Sequence, residues 1–342
     1  MKSGLKFLTL NCWGLPFLTP QKNRRLDAIA ASIRNSDWDV VALQEVWLQH
    51  DQERIIKNSG FPFHIVFRGT SRVFGSGLVL LSKFKILAQD FHEFIVRGFP
   101  HRVHEGDFHA AKGIGYALIE TPIGPVPVFL THLIAKYSKR DETDVNRVFR
   151  IAQILELIFY IRRKATPEGF VLCGDLNATI DDLEMETLFA LGGIDRSQNP
   201  KLRSLKKRID HIVCGATTGE KTFKIFSASL VFRTPFIHGV DEVIPYSDHE
   251  GMSVVVRASR GQADSRFTHR ILDRTLRYMN FSLKAVRELD SWIMCLPVFG
   301  PLSARFMKPQ FNYIDALLNM LEIDLKSAKS EHPLRLQEIA RK

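Results

Sequence analysis

Between residues 5 and 257 the chain repeats one pattern, a short run of Val, Ile, Leu and Phe closed by Gly, Pro or Asp. The runs are LKFLTL, DVVALQEV, FHIVF, GLVLLS, GIGYALIE, VPVFLTHL, GFVLCGDL, RIDHIVC and GMSVVVRA. They read as strands, because β-branched and aromatic side chains suit a half-buried pleated surface and the punctuating residues turn the chain. Residues 23–35, with Leu26, Ile29 and Ile33, and residues 143–163, with Val148, Ile151, Ile154, Leu155 and Ile158, have helical spacing instead. Many strands joined by a few long helices predict an α/β layered sandwich.

Composition changes after Arg257, where ASRGQADS leads into helical patterning and places a boundary near residue 260. The expected organisation is a strand-rich domain over residues 1–258 and a helical extension over 259–342, long enough in total for one large domain plus an appendage. Residues 265–290 carry an apolar row at Leu272, Leu276, Met279, Leu283 and Val286, with Arg266, Arg270, Arg274 and Arg277 on another face. Such a basic amphipathic helix docks on a core or lies on an acidic membrane, and the sequence leaves both open.

The formal charge of +10 points to an anionic partner without choosing among nucleic acid, phosphate groups and acidic lipid. Cys12, Cys173, Cys214 and Cys295 have no zinc or CxxC spacing and read as structural thiols in a reducing compartment. No run approaches the roughly 20 apolar residues that span a bilayer, and LKFLTLNCW follows the first Met too closely for a secretory leader. The expectation is a cytoplasmic protein that touches membranes peripherally at most; bacterial export without a cleavable signal stays open as an alternative.

Chemistry-bearing residues gather at the ends of the strand runs. Asn11 ends the first. Glu45 follows DVVALQ, where a carboxylate is costly unless it is solvated, paired or metal-bound. Asp175 and Asn177, two apart after FVLCG, would share a side if the strand continued, and oxygen-rich groups so placed can hold a water and a phosphate near a hard cation such as Mg²⁺. Asp210 lies in RIDHIV, and Ser247-Asp248-His249 precedes the last strand; an Asp holding one imidazole nitrogen leaves the other to activate water. His211 competes for that role, but strand alternation turns it away from Asp210. His132, at the end of FLTHL, can donate to a phosphate oxygen. Each has an ordinary structural explanation alone, such as an Asn or Asp turn. Together they need a common one.

The ordered motifs LNCWG, QEVW, THL, GDLN, RIDHI and SDHEG resemble the endonuclease/exonuclease/phosphatase superfamily over about residues 5–257. Within it, LNCWGLP, GSGLVLLSK, GFPHRVHEGDFHAAKGIG, THLIAKY, NRVFRIAQ, LCGDLNA and SDHEG are similar to the neutral sphingomyelinases. The resemblance implies a two-layer β-sandwich flanked by helices, with a catalytic domain over 1–258. It implies Glu45 and Asn11 at a Mg²⁺ ion, Mn²⁺ being the alternative, with Asp248 supporting a second metal or the local hydrogen bonds. His249, oriented by Asp210, would deprotonate water, Asp175 and Asn177 would position it, and His132 and Lys112 would bind phosphate, with Asp107 as the switch partner of Lys112.

The implied reaction is hydrolysis of sphingomyelin, or a related phospholipid, to ceramide and phosphocholine. The alternatives are a nuclease or a phosphatase of soluble phosphate esters on the same fold, and a catalytically silent membrane-binding module. Two features depart from the family: the interval between Asn177 and Asp210 is short, and the paired transmembrane spans of some relatives are lacking. Membrane contact would then fall to the basic helix, residues 292–306 or the Phe-rich residues 61–67.

Overall fold

The computed structural model describes residues 4–16, 18–70, 75–138, 144–164, 169–194, 199, 208–216, 221–238, 242–260, 268–294 and 300–329. Two sheets form the layers. The first has six strands in the order β10 (Lys221–Val231), β13 (Gly251–Arg260), β1 (Leu5–Asn11), β2 (Val40–Gln44), β4 (Val79–Ser82) and β3 (Phe63–Val66). The second has five, in the order β5 (Ile86–Glu93), β6 (Gly113–Thr121), β7 (Gly124–His132), β8 (Phe170–Asp175) and β9 (Asp210–Gly215). A two-stranded ribbon of β11 (Ile237–His238) and β12 (Val243–Ile244) precedes the last strand. Each large sheet has a parallel pair, β1 with β2 and β7 with β8, inside otherwise antiparallel neighbours.

The strands are apolar on both faces because both faces are covered. In β1, Leu5 and Phe7 enter the core shared by the two sheets, while Leu8 and Leu10 enter a second core with Leu26, Ile29 and Ile33 of α1 (Lys22–Arg34) and Ile55 of α2 (Gln49–Ser59). Over the other sheet lie α3 (Arg147–Lys164) and α4 (Leu183–Leu191), and outside these the antiparallel pair of long helices α5 (Thr268–Met294) and α6 (Gly300–Lys329). The architecture is the α/β sandwich expected.

Sequence patterning passed over several elements. In α2 the apolar signal is little more than Ile55 and Ile56. In α4 seven of nine residues are buried between α3 and α5, so no polar face marks the helical period. The edge strands β5 and β10 carry Gln, Asp, His, Lys and Ser.

The apolar row on α5 is buried, Met279 completely, and joins the main core with Met307, Phe311, Ile314 and Leu321 of α6. The basic face points outward, with Arg270, Arg274 and Arg277 exposed. Arg266, Cys295 and the stretch 295–299 of the expected membrane segment lie outside the described residues. Phe61 and Phe67 are buried, which leaves Phe63, the first residue of β3, as the exposed phenylalanine of that Phe-rich stretch. No helix among the described residues is long and apolar enough to cross a membrane.

Candidate active site

The parallel pairs bring the site together at one end of both layers. Strand register aligns His132 with Asp175 and Asp175 with Asp210 across β7, β8 and β9. Asn11 keeps the inward phase of Leu5 and Phe7 and so crosses the interlayer space to Asp175. Glu45 and Asn177 lie just past their strands in left-handed backbone, at φ 59° and 48°. Non-glycine residues held there are costly and mark places where the surroundings impose the conformation. Asn177 thus reaches Asp175 through a turn, since the strand ends at Asp175 and does not continue as period-two spacing would require. Two glycines permit close backbone approach. A Cβ on Gly174 would lie 2.0 Å from the Thr131 carbonyl, and one on Gly14 would lie 2.0 Å from that of Glu45.

Asp175 is the hub. Its Oδ2 accepts from Asn11 Nδ2 at 3.0 Å and lies 3.6 Å from His132 Nε2 and 4.0 Å from His249 Nε2. Its Oδ1 accepts from the Asn177 amide at 2.9 Å. Asn11 Nδ2 also donates to Glu45 Oε1 at 3.0 Å, while Asn11 Oδ1 accepts from the Trp13 amide. Asn11 therefore shows the two acids its NH₂ group and turns its oxygen away. His249 Nδ1 is 2.7 Å from Asp210 Oδ2. His211 points elsewhere, bonding the Ala178 carbonyl.

Lys112 is buried, with Asp107 Oδ1 at 2.5 Å, the Leu133 carbonyl at 2.9 Å and His132 Nε2 at 3.2 Å. These three acceptors match the three donors of its ammonium group. Asp107 is held in turn by the Ala135 amide, and Asn177 Nδ2 shares the Leu133 carbonyl. Asp248 is exposed and joins the hydrogen bonds of the group through Ser247, whose hydroxyl lies 3.2 Å from Asp248 Oδ1 and 2.6 Å from the Asn11 carbonyl.

Two positioning residues escaped the sequence reading. One is Ser247; the other is Arg25. Its buried guanidinium donates to the carbonyls of Cys12, Trp13, Pro20 and Tyr246, tying the loop after Asn11 to the one before His249. A signal existed: Arg25 stands four residues before Ile29 on the apolar stripe of α1, where an unsatisfied guanidinium would be costly.

Charge at the site is tightly coupled. Burial opposes a charged His249, but the hydrogen bond and charge of Asp210, with Asp175 and Asp248, outweigh it and raise the imidazole to about 10. Burial and the neighbouring Asp210 raise Asp175 to about 6. Burial raises Glu45, against the Asn11 hydrogen bond and Lys112. Burial, Lys112 and His249 push His132 well down, so it is neutral, with Nε2 accepting from Lys112.

These donors suit a divalent cation. Glu45 Oε2 and Asp210 Oδ1 are buried oxygens without a hydrogen-bond partner among the described residues. Asp175, Asp210 and His249 bring one ligand atom each within 4.8 Å of one another. Excess buried carboxylate with unpaired oxygens is what a hard cation such as Mg²⁺ satisfies.

The profile of the Endonuclease/Exonuclease/phosphatase family matches residues 8–249. Human sphingomyelin phosphodiesterase 2 is 26% identical over 79% of this chain and 69% of its own length. The inositol phosphosphingolipids phospholipase C of Schizosaccharomyces pombe is 31% identical over 51% of this chain and 41% of its own. The matched segment likewise spans about two fifths of the length of most other curated relatives. Among solved structures, a beta toxin from Staphylococcus aureus with bound magnesium ions shares the fold, at 18% identity and TM-score 0.58, covering 73% of this chain and 99% of that one.

Proposed function

The chain belongs to the endonuclease/exonuclease/phosphatase family, and from that footing we propose that it is a Mg²⁺-dependent phosphodiesterase of the phospholipase C type. Its substrate is sphingomyelin or a related phosphosphingolipid, cleaved between ceramide and the phosphorylated headgroup. The observation that carries this reading is the buried Asp107–Lys112 pair beside His132 and Asp175. The pair sits in the segment 98–115 that is similar to the neutral sphingomyelinases, and both relatives above are named for cleaving phosphosphingolipids. Residues 1–258 are read as the catalytic domain and 259–342 as its helical extension.

Glu45, Asp175 and Asp210 would hold the metal, with Asn11 fixing the first two and Asp248 at the rim. Bound there, Mg²⁺ supplies stabilisation of the charge on the phosphoryl group and leaving oxygen, and neutralises the carboxylates that keep His249 protonated. In its neutral form His249 Nε2 takes the proton of the attacking water, while Asp210 holds Nδ1 and stabilises the imidazolium. The new P–O bond forms as the bond to the ceramide oxygen breaks; that oxygen leaves as an alkoxide and takes its proton from solvent, and the His249 imidazolium later returns its proton to solvent. Asn177 and Asp175 orient the water and the phosphate. Lys112 engages a phosphate oxygen by giving up one of its present acceptors, and His132 lies beside it.

The test presents sphingomyelin, an inositol phosphosphingolipid, lysophospholipid and plasmid DNA to the purified chain, each with Mg²⁺, Mn²⁺ or EDTA. Metal-dependent release of a phosphorylated headgroup is expected. DNA nicking without headgroup release overturns the lipid reading, an arm that the net charge of +10 makes worth running.

A further inference from the structure

The exposed face of α5 carries a stripe that the catalytic reading does not use. Arg270, Arg274, Arg277, Phe281 and Lys284 follow one another at intervals of four and three residues, so they lie in one row along the helix. Phe281 is 79% exposed. Beside it opens a groove of about 390 Å³, lined by Arg147, Leu183, Arg274, Arg277, Tyr278 and Phe281. The Arg147 guanidinium stacks 5.3 Å over the Tyr278 ring and bonds the buried Glu184. Arg274 pairs with Glu186, and Arg277 with Asp273. A guanidinium has five donors, and one carboxylate occupies at most two. Arg274 and Arg277, each held by one carboxylate, therefore keep further donors beside the Tyr278 and Phe281 rings.

Its position gives it a use. Arg147 opens α3, the helix that follows the loop from His132, and Leu183 opens α4, which follows the turn at Asp175 and Asn177. The groove thus lies toward the same end of the molecule as the active site. Exposed apolar side chains stand in segments next to site residues: Leu18 in the loop after Asn11, Val103 in the turn before Asp107, and Tyr137 after His132. Tyr137 bonds the Glu105 carbonyl, and the Glu105 carboxylate accepts from Asn146, next to Arg147. These bonds tie the segment after His132 to Asn146, whose neighbour Arg147 lines the groove with Tyr278 and Phe281.

We propose that the groove between α3, α4 and α5 takes the headgroup of an anionic phospholipid, with Phe281 entering the membrane interface beside it and the active-site edge brought down onto the bilayer. Arginine donors suit a phosphodiester or carboxylate headgroup, and an exposed ring flanked by cations is the composition of an interfacial anchor. The inference deepens the lipid-hydrolase reading and rests on it only for the purpose of docking.

Vesicle sedimentation of the full chain tests it, using sphingomyelin-free phosphatidylcholine vesicles with and without ~20 mol% phosphatidylserine, a fraction chosen to give the negative surface potential of a cytoplasmic leaflet. The wild type is expected to prefer the acidic vesicles. Combined Arg274→Gln and Arg277→Gln should weaken that binding by about tenfold or more, since each basic residue near such a surface contributes about fivefold. Asp273→Asn, which releases Arg277, should strengthen it, a gain that misfolding cannot imitate. Phe281→Ser should weaken binding to both vesicle types. Equal wild-type affinity for the two vesicle types overturns the proposal, as does an Arg double variant that binds like wild type. A double variant that loses duplex DNA and keeps acidic vesicles overturns it in favour of nucleic acid. In neutral detergent micelles all variants should hydrolyse sphingomyelin like wild type. A wild type that hydrolyses no phosphosphingolipid in micelles overturns the proposed reaction, while the vesicle result stands apart.

Discussion

His249 is bonded through Nδ1 to Asp210 and aims Nε2 toward Asp175, so its removal deletes the proposed base and leaves two buried acids facing each other. His249→Ala should lower kcat by about 10²–10⁴-fold in a headgroup-release assay. A pH signature accompanies the loss. In metal-free protein, against the opposing effect of burial, the Asp210 carboxylate raises the folded-state pKa of His249 from its ordinary value of 6.5 to about 10. A raised pKa contributes stability that is fully present below 6.5 and is lost as pH rises through 10. Thermal denaturation in EDTA should therefore show a fall in Tm between these pH values that is smaller in His249→Ala. The ends of strands were where the sequence was most legible. Asn11, Glu45, His132 and Asp175 stand out together because in each case an apolar run stops on a polar residue, and Asp210 because it opens one. Ser247 did not stand out, because its partner is a backbone carbonyl supplied by a distant loop, and Arg25 showed only as a cation on the apolar stripe of α1. Hydrogen bonds to main chain carry no mark in the residue types they join.

At the scale of elements, α6 reaches into the segment that the lipid reading depends on. The buried Gln310 accepts from the amides of Arg97 and Gly98 and donates to the Gly98 carbonyl, while Phe306 meets Phe108 edge-on at 5.2 Å. Gln310→Ala removes these bonds at the start of the segment carrying Asp107 and Lys112. We expect kcat to fall severalfold with little change in vesicle binding, and Tm to fall with it; Gln310→Glu, which retains the acceptor, should recover part of kcat. Unpaired buried backbone amides cost about 1–3 kcal/mol each, so the change should register in denaturant unfolding. The long amphipathic helix α5 was legible in advance from its apolar row. The contact of α6 with Gly98 was not, because more than 200 residues separate the partners and only tertiary packing makes them neighbours.

For the whole molecule, the boundary near residue 260 divides a change in composition more than a change in core. Val148, Ile151, Ile154 and Leu155 of α3 are buried together with Leu276 and Met279 of α5 and Ile314 of α6 in one cluster. Residues 1–258 expressed alone should expose that face, bind a hydrophobic dye and aggregate on warming, as differential scanning fluorimetry and light scattering would read. A monodisperse truncated chain with wild-type Tm would instead make the extension an independent attachment. The three cysteines among the described residues, Cys12, Cys173 and Cys214, lie within these layers, free and wholly buried, and burial drives their thiols far above the ordinary range. Alkylation then waits on the protein opening, which turns each thiol into a clock. Cys12 times the parting of the loops that hold Asn11 to Glu45, and Cys173 with Cys214 times the separation of β8 from β9. Mg²⁺ held by Glu45, Asp175 and Asp210 should slow both clocks, because it would join the loop after β2 to the facing ends of β8 and β9.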